Sequence, residues 1–436
     1  MKNRTEIVKK FRSSIRCGTG GAYILMTKYS EINFTNEIHK ACKVNFAYDV
    51  QSEGDRSDYL IQFIEKLSIK QKLIIKQKLL QSLIKEKKDT WNLKQIFNVL
   101  AHFGNNDIKV KKAIYKKFKQ CPIEDSHWLG EEAIVKMDGQ KGMLFLSEHY
   151  GKCLTEDSES WYNDYLVNNY DEENPKENIK KILLKASINN RYIKAYVKEI
   201  KRTRANWDKQ LSKRTKWTFN KVVTHLTDDK LRRPMYFAIE KLSKKELKEI
   251  SKLLNENSSE KTKSKVLSLF TIVKCPANKS LLKQYLNKRY SSSIRDYAYE
   301  ALSFFPDNEI RRKAIEKLKT TIDPRKHLEL LKSNYKEGDS KLILKTVNRF
   351  KDEHKIEEIA ISLCEVYENN STKECKKPLL ALYLKMNCAI HRNSVLNLLH
   401  NNDVLPKSVL AEMKYDCDED TRKLFHKIQR KAGNIR

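Results

Sequence analysis

Glycine and proline are scarce in this chain: eleven and eight among 436 residues. That scarcity excludes a turn-dense β-sandwich or barrel and leaves helices to order most of the length. Long apolar runs are missing too. No stretch reaches the roughly 18 uncharged apolar residues of a membrane span, so no membrane partner is expected. The start, MKNRTEIVKKFRSSIR, is basic but lacks the continuous apolar core of a secretion signal. A cytoplasmic location is the expectation.

Nine cysteines are scattered, odd in number and never spaced C-x-x-C. This excludes a disulfide scaffold and a zinc ribbon. Cys375, Cys388 and His391 come nearest to a metal pattern, but no tight first pair accompanies them. Neither a metal nor another cofactor is expected.

Negative charge is the minority. The formal net charge is +31, with 87 Lys and Arg against 56 Asp and Glu. A positive field of that size attracts polyanions, and nucleic acid is the expected partner class. Lys outnumbers Arg by about three to one, and Lys is the less discriminating phosphate ligand. The excess is thus also consistent with a compositional habit of the source.

Glycine divides the chain, since nine of the eleven precede residue 152. Helical spacing before that point predicts helices over 4–29, 35–48, 57–67, 69–87, 91–104 and 107–120. Two more follow at 129–137 and 140–152, split at Asp138-Gly139. An acidic, polar bridge over 156–175 then marks the expected boundary. It separates an irregular N-terminal helical region, 1–155, from a more regular section, 176–436. In that section Ala238, Val266, Ala298 and Leu330 take similar places in successive helices.

The clearest repeat is 292–318, SSIRDYAYEALSFFPDNEIRRKAIEKL. Ile294, Ala298, Ala301, Leu302 and Phe305 form one apolar stripe, and Ile310, Ala314, Ile315 and Leu318 form the next. Between them Asp307 or Asn308 supplies a side-chain oxygen to cap the second helix. Neither helix buries its stripe alone, so stacked neighbours are required. The run Ile294-Arg295, Ala298, Ala301-Leu302, then Arg311, Ala314 and Leu318, resembles the HEAT and armadillo class of α-solenoids. The likeness is best over 230–320. It implies an all-α, right-handed superhelix of antiparallel helix pairs and a binding surface more than a chemistry, although a minority of the class are DNA glycosylases.

The strongest functional candidate is 192–217, YIKAYVKEIKRTRANWDKQLSKRTKW. Lys194, Lys198, Lys201, Arg202, Arg204, Lys209, Lys213, Arg214 and Lys216 are offset by Glu199 and Asp208 alone. Lys194, Lys198 and Lys201 share one helical face, while Ile193, Val197 and Ile200 dock the helix. Tyr196, Trp207 and Trp217 are the candidate surfaces for base stacking. A second basic run, 109–119, places Lys112 and Lys116 one turn apart. If both runs line one side they form a phosphate track.

Other clusters are weaker. Gly18-Thr19-Gly20-Gly21 lacks the spacing of a phosphate loop and reads as a kink or close helix crossing. The acids of 49–58 lack calcium-loop order and read as an exposed turn. Asp125, His127, Trp128, Glu131 and Glu132 suit a helix start, and His149 has no placed partner. The reading expected is therefore non-enzymatic binding of DNA or RNA backbone, within a larger assembly or alone. A protein–protein scaffold without nucleic acid competes with it, and a HEAT-type glycosylase using Asp208 comes third.

Overall fold

The computed structural model describes residues 4–86, 89–121, 129–157, 161–212, 217–234 and 236–433. Among the described residues all regular structure is helical: twenty-six α-helices and three short 3-10 segments, with no strand. None of these helices is long and apolar enough to cross a membrane. Packing divides the chain into two units, Met1–Arg214 with Ala411–Arg436, and Thr215–Leu410. The acidic bridge expected to separate domains falls inside the first unit. Its polar composition conceals three anchors, Tyr162, Val167 and Tyr170, which are buried in that unit's core.

The first unit opens with α1 (Arg4–Cys17), α2 (Gly21–Lys28), α3 (Thr35–Lys43), α4 (Val50–Glu53), α5 (Ser57–Glu65) and α6 (Ile69–Lys85). It continues with α7 (Thr90–Gly104), α8 (Ile108–Gln120), α9 (Glu131–Glu156), α10 (Tyr165–Glu173), α11 (Ile179–Ala186) and α12 (Arg191–Ser212). Helix α7 is the hub. Leu93, Ile96, Phe97, Val99, Leu100 and Ala101 are all buried, so it presents apolar surface on almost every side. It packs against α3, α5, α6, α8 and α9. Asp89 and Asp107 cap α7 and α8 through side-chain oxygens.

Helix α9 bends sharply at Gly139, where φ is 50° and ψ is −125°. The expected split at this glycine is present, because a left-handed residue there costs a Cβ-bearing side chain more than it costs glycine. The expected single helix over 4–29 is instead two. Gly18 takes φ +75° between α1 and α2, and its carbonyl accepts the backbone N–H of Cys417 at 2.8 Å. A Cβ on Gly20 would sit 1.9 Å from the Glu412 carbonyl oxygen. Tyr415 stacks on Tyr23 with ring centroids 4.0 Å apart. The glycine run therefore receives the returning C-terminal segment at backbone distance.

The second unit contains α13 (Phe219–Thr227), α14 (Tyr236–Ile239), α15 (Lys244–Ser251), α16 (Glu260–Leu269), α17 (Lys279–Gln284) and α18 (Ser292–Ala301). After these come α19 (Asn308–Thr320), α20 (Arg325–Glu329), α21 (Ser340–Arg349), α22 (Glu353–Asn369), α23 (Lys376–Tyr383) and α24 (Ala389–Asn401). Helix α25 (Lys407–Met413) leads out of it, and α26 (Glu419–Gly433) belongs to the first unit. Alternate helices stack side by side: α13, α16, α18, α20, α22 and α24 in one layer, α19, α21 and α23 in the other. Ala238, Val266, Ala298 and Leu330 are all buried, with Leu330 on a 3-10 turn after α20. Asp307 caps α19, accepting from the N–H groups of Glu309 and Ile310.

Two polar ladders lock neighbouring helix pairs together. Asn334 accepts from the Asp307 N–H at 2.7 Å and donates to the carbonyls of Phe305 and Leu330 at 3.1 and 2.9 Å. Asn370 donates to Lys332 and Val366 carbonyls, both at 2.8 Å. Asn402 accepts from Thr372 N–H at 2.7 Å and donates to the Leu398 carbonyl at 2.9 Å. Each asparagine thus closes its own helix end and ties it to the preceding turn, where unpaired backbone groups would otherwise be buried.

The second ladder is cationic. Lys265 donates to the carbonyls of His225 and Asp228 at the end of α13, at 3.0 and 2.8 Å. Arg349 reaches the Lys319 and Thr321 carbonyls at the end of α19, at 2.7 and 2.8 Å. Lys385 does the same for Val347 and Phe350 beyond α21, at 2.7 and 3.0 Å. A cation at a helix C-terminus also opposes the negative end of the helix dipole.

Candidate functional site

Helix α12 carries seven cations and two carboxylates. Asn190 starts it, accepting from the N–H groups of Tyr192 and Ile193 at 3.0 and 3.1 Å. Ile193, Tyr196, Val197 and Ile200 form the buried stripe, at the i, i+3, i+4, i+7 spacing of one helical face. The helix approaches α9 very closely: a Cβ on Gly151 would lie 1.8 Å from the Tyr192 carbonyl oxygen.

Lys194, Lys198 and Lys201 are exposed along the solvent side, and among the described residues none of the three forms an ion pair. The arginines differ. Arg202 holds Glu199 through two hydrogen bonds of 2.8 and 2.7 Å, and Arg204 pairs with Asp208 at 3.3 Å and Asp164 at 3.7 Å. Lys209 is exposed on the last turns. Lys213, Arg214 and Lys216 lie outside the described residues, as do Asp125, His127 and Trp128.

The three aromatic residues part company. Tyr196 is 1% exposed, packed against Tyr150 and Tyr162 with ring centroids 6.0 and 6.1 Å away, so it cannot offer a face to a base. It completes the apolar stripe, which is why its tyrosine ring is inside. Trp207 is 53% exposed on the free half of α12. Trp217 belongs to the second unit, half-buried, with His225 edge-on at 4.8 Å and Lys221 above its ring at 5.9 Å.

Lys112 and Lys116 are exposed on α8. Helices α8 and α12 both pack on α9 after its bend: Tyr115 and Phe118 lie against Phe145, and Tyr192 against Gly151. His149 sits half-buried on the same part of α9. Burial holds it below the ordinary imidazole range, and Lys119 and Lys152 push the same way. Asp208, the carboxylate of the glycosylase reading, is an exposed i+4 partner of Arg204.

An apolar groove of 370 Å³ borders α12, floored by Val167, Leu183, Leu184, Val197 and Ile200, with Lys180 and Lys201 at its edge. Sequence reasoning misses it, because its residues come from three helices. The acids of 49–58 are engaged structurally: Asp49 caps α4, Glu53 pairs with buried Arg56 at 3.0 Å, and Asp55 accepts from Asn98 at 2.9 Å.

A different cluster gathers in the second unit. Glu357, Cys388 and His391 bring their donor atoms within 4.8 Å of one another. Of the trio weighed from sequence, Cys388 and His391 belong to it and Cys375 does not; Glu357, 31 residues before Cys388, carries no local signal. Comparison of the chain with protein families, with curated proteins and with solved structures finds no match.

Proposed function

We propose that the protein binds the phosphate backbone of DNA or RNA, without catalysis, through the exposed face of α12. The observation that carries this reading is the row Lys194, Lys198 and Lys201: exposed, on one helical face and, among the described residues, in no ion pair with a carboxylate. Seven residues of helix spread that row over about 10 Å. The exposure of Lys112 and Lys116 on α8, which also packs on α9, and of Trp207 on α12 supports further phosphate contacts and stacking on an unpaired base. Contacts of this kind position a protein on nucleic acid with little base preference.

The second unit is, on this reading, a HEAT-like right-handed solenoid that carries further binding surface. Its alternate-helix stacking and its asparagine and cation ladders support that assignment.

Fluorescence anisotropy with a labelled duplex and a labelled structured RNA, at two salt concentrations, tests the proposal. Changing Lys194, Lys198 and Lys201 to Glu should weaken binding and flatten the salt dependence by roughly one unit of log-log slope per lost phosphate contact. Unchanged affinity in that variant refutes the α12 track. A chain that binds neither probe at low salt instead favours protein docking in the 370 Å³ groove.

A further inference from the structure

We propose that Glu357, Cys388 and His391 bind one zinc-class divalent ion. Glu357 and Cys388 are each 3% exposed, while His391 reaches solvent at one edge. The carboxylate is already oriented. Its Oε1 accepts the backbone N–H groups of Asn387 and Cys388 at 3.1 and 2.9 Å, which leaves Oε2 2.8 Å from His391 Nδ1. Cys388 immediately precedes α24 and His391 lies one turn further on, so sulfur and imidazole share a side of that helix. Backbone donors holding a ligating carboxylate in place are the kind of outer support that metal sites use.

The donor chemistry is selective. One sulfur, one imidazole nitrogen and one carboxylate oxygen suit zinc and its neighbours, not magnesium or calcium, which take oxygen alone. Three protein donors leave a fourth position, and the exposed edge of His391 gives it access to solvent. Bond lengths of about 2.0–2.3 Å put tetrahedral donors about 3.3–3.7 Å apart, so Oε2 and Nδ1 need to separate by about 0.5 Å. Thiolate and carboxylate together carry two negative charges, which one divalent ion neutralises. The ion takes the place of the thiol proton and of the proton shared between Nδ1 and Oε2, and both leave to solvent.

Glu357 also serves α24 as a cap, and that role alone needs no sulfur. The experiment therefore turns on Cys388. The reduced, metal-stripped full chain is titrated with Co²⁺ alone, followed by absorption and by equilibrium dialysis. The expected result is one equivalent bound, a sulfur-to-cobalt charge-transfer band, tetrahedral visible bands, and displacement by Zn²⁺. Cys388→Ser should abolish the charge-transfer band. Glu357→Gln keeps an oxygen for the two N–H groups but removes the charged donor, and should weaken binding by more than the roughly 10-fold that loss of a mere outer-shell partner can cost. Cys375→Ser should change neither. Absence of stoichiometric binding by the unaltered chain, or a band that persists in Cys388→Ser, overturns the proposal.

Discussion

Replacing Gly151 by alanine sets two effects of opposite sign against each other. In an open helix, alanine is favoured over glycine by about 1 kcal/mol. At this position the added methyl would lie 1.8 Å from the Tyr192 carbonyl oxygen, 2.4 Å from its carbon and 3.0 Å from its Cα. All three are backbone atoms, so no rotamer relieves the clash. The start of α12 must retreat by about 1.5 Å to reach van der Waals contact, pulling on the neighbouring buried side chains of Ile193 and Tyr196. Overpacking of this kind costs about 1–3 kcal/mol, and the retreat loosens the buried stripe as well. Set against the alanine preference, this leaves an expected net loss of about 1 kcal/mol, rising to about 2 kcal/mol at the upper end of the overpacking cost. Hydrogen exchange of α12 amides, with urea unfolding of the full chain, measures it; the two units make a single two-state fit unsafe. Gly338→Ala is the control. It has φ +91° and nothing within 4 Å of its Cβ, so it incurs only the left-handed backbone cost of about 1 kcal/mol. If Gly151→Ala leaves α12 protection unchanged, or raises stability, the close crossing is refuted.

Two further outcomes are expected. Asn334→Ala removes three hydrogen bonds and leaves the Asp307 N–H and the Phe305 carbonyl without that partner, so the second unit should lose about 2–3 kcal/mol by thermal or urea unfolding. A loss below about 0.5 kcal/mol would remove the asparagine ladder as a stabilising device. Burial pushes Glu131 up to about 8, although Tyr150 donates to it and Lys94 opposes the shift. The folded chain therefore holds this proton between its ordinary value of 4.5 and about 8. Its contribution to stability should be full below that interval, fall as pH rises through it, and stay flat above. Glu131→Gln should flatten the slope, and an unchanged slope would contradict the buried placement.

The helical periodicity is legible because it is local. Asp307 capping α19, the bend at Gly139 and the buried stripe of α18 all follow from residues within a few turns of one another. The break at Gly18 is legible as a kink, but its cause is not. Cys417 and Glu412 press on the glycine run from almost 400 positions away, and no local pattern reports them. The packing of the acidic bridge is illegible for a related reason: its average composition is that of a linker, while Tyr162, Val167 and Tyr170 are buried in the first unit's core. Tyr196 passes for a stacking surface only while its spacing to Ile193 and Ile200 is left out of the stripe. Glu357 joins Cys388 and His391 only through the stacking of α22 on α24, a tertiary fact.

Net charge is a poor guide to function here, because cations do two kinds of work. Lys265, Arg349 and Lys385 each close the carboxyl end of a neighbouring helix, and Arg311 reaches Asp339 of the next helix pair at 2.5 Å. Lys279 and Lys283 converge on Asp307, at 2.9 and 3.1 Å, the very residue that caps α19. A phosphate could recruit these groups only by uncapping a helix or releasing a carboxylate, and that loss would offset the attraction of the phosphate itself. Lys194, Lys198 and Lys201 have no such prior engagement among the described residues, so their attraction to a polyanion is undiminished. The excess of +31 therefore overstates the charge open to a polyanion, and the quantity the proposal depends on is the positive charge left unpaired among the described residues, as along the exposed face of α12.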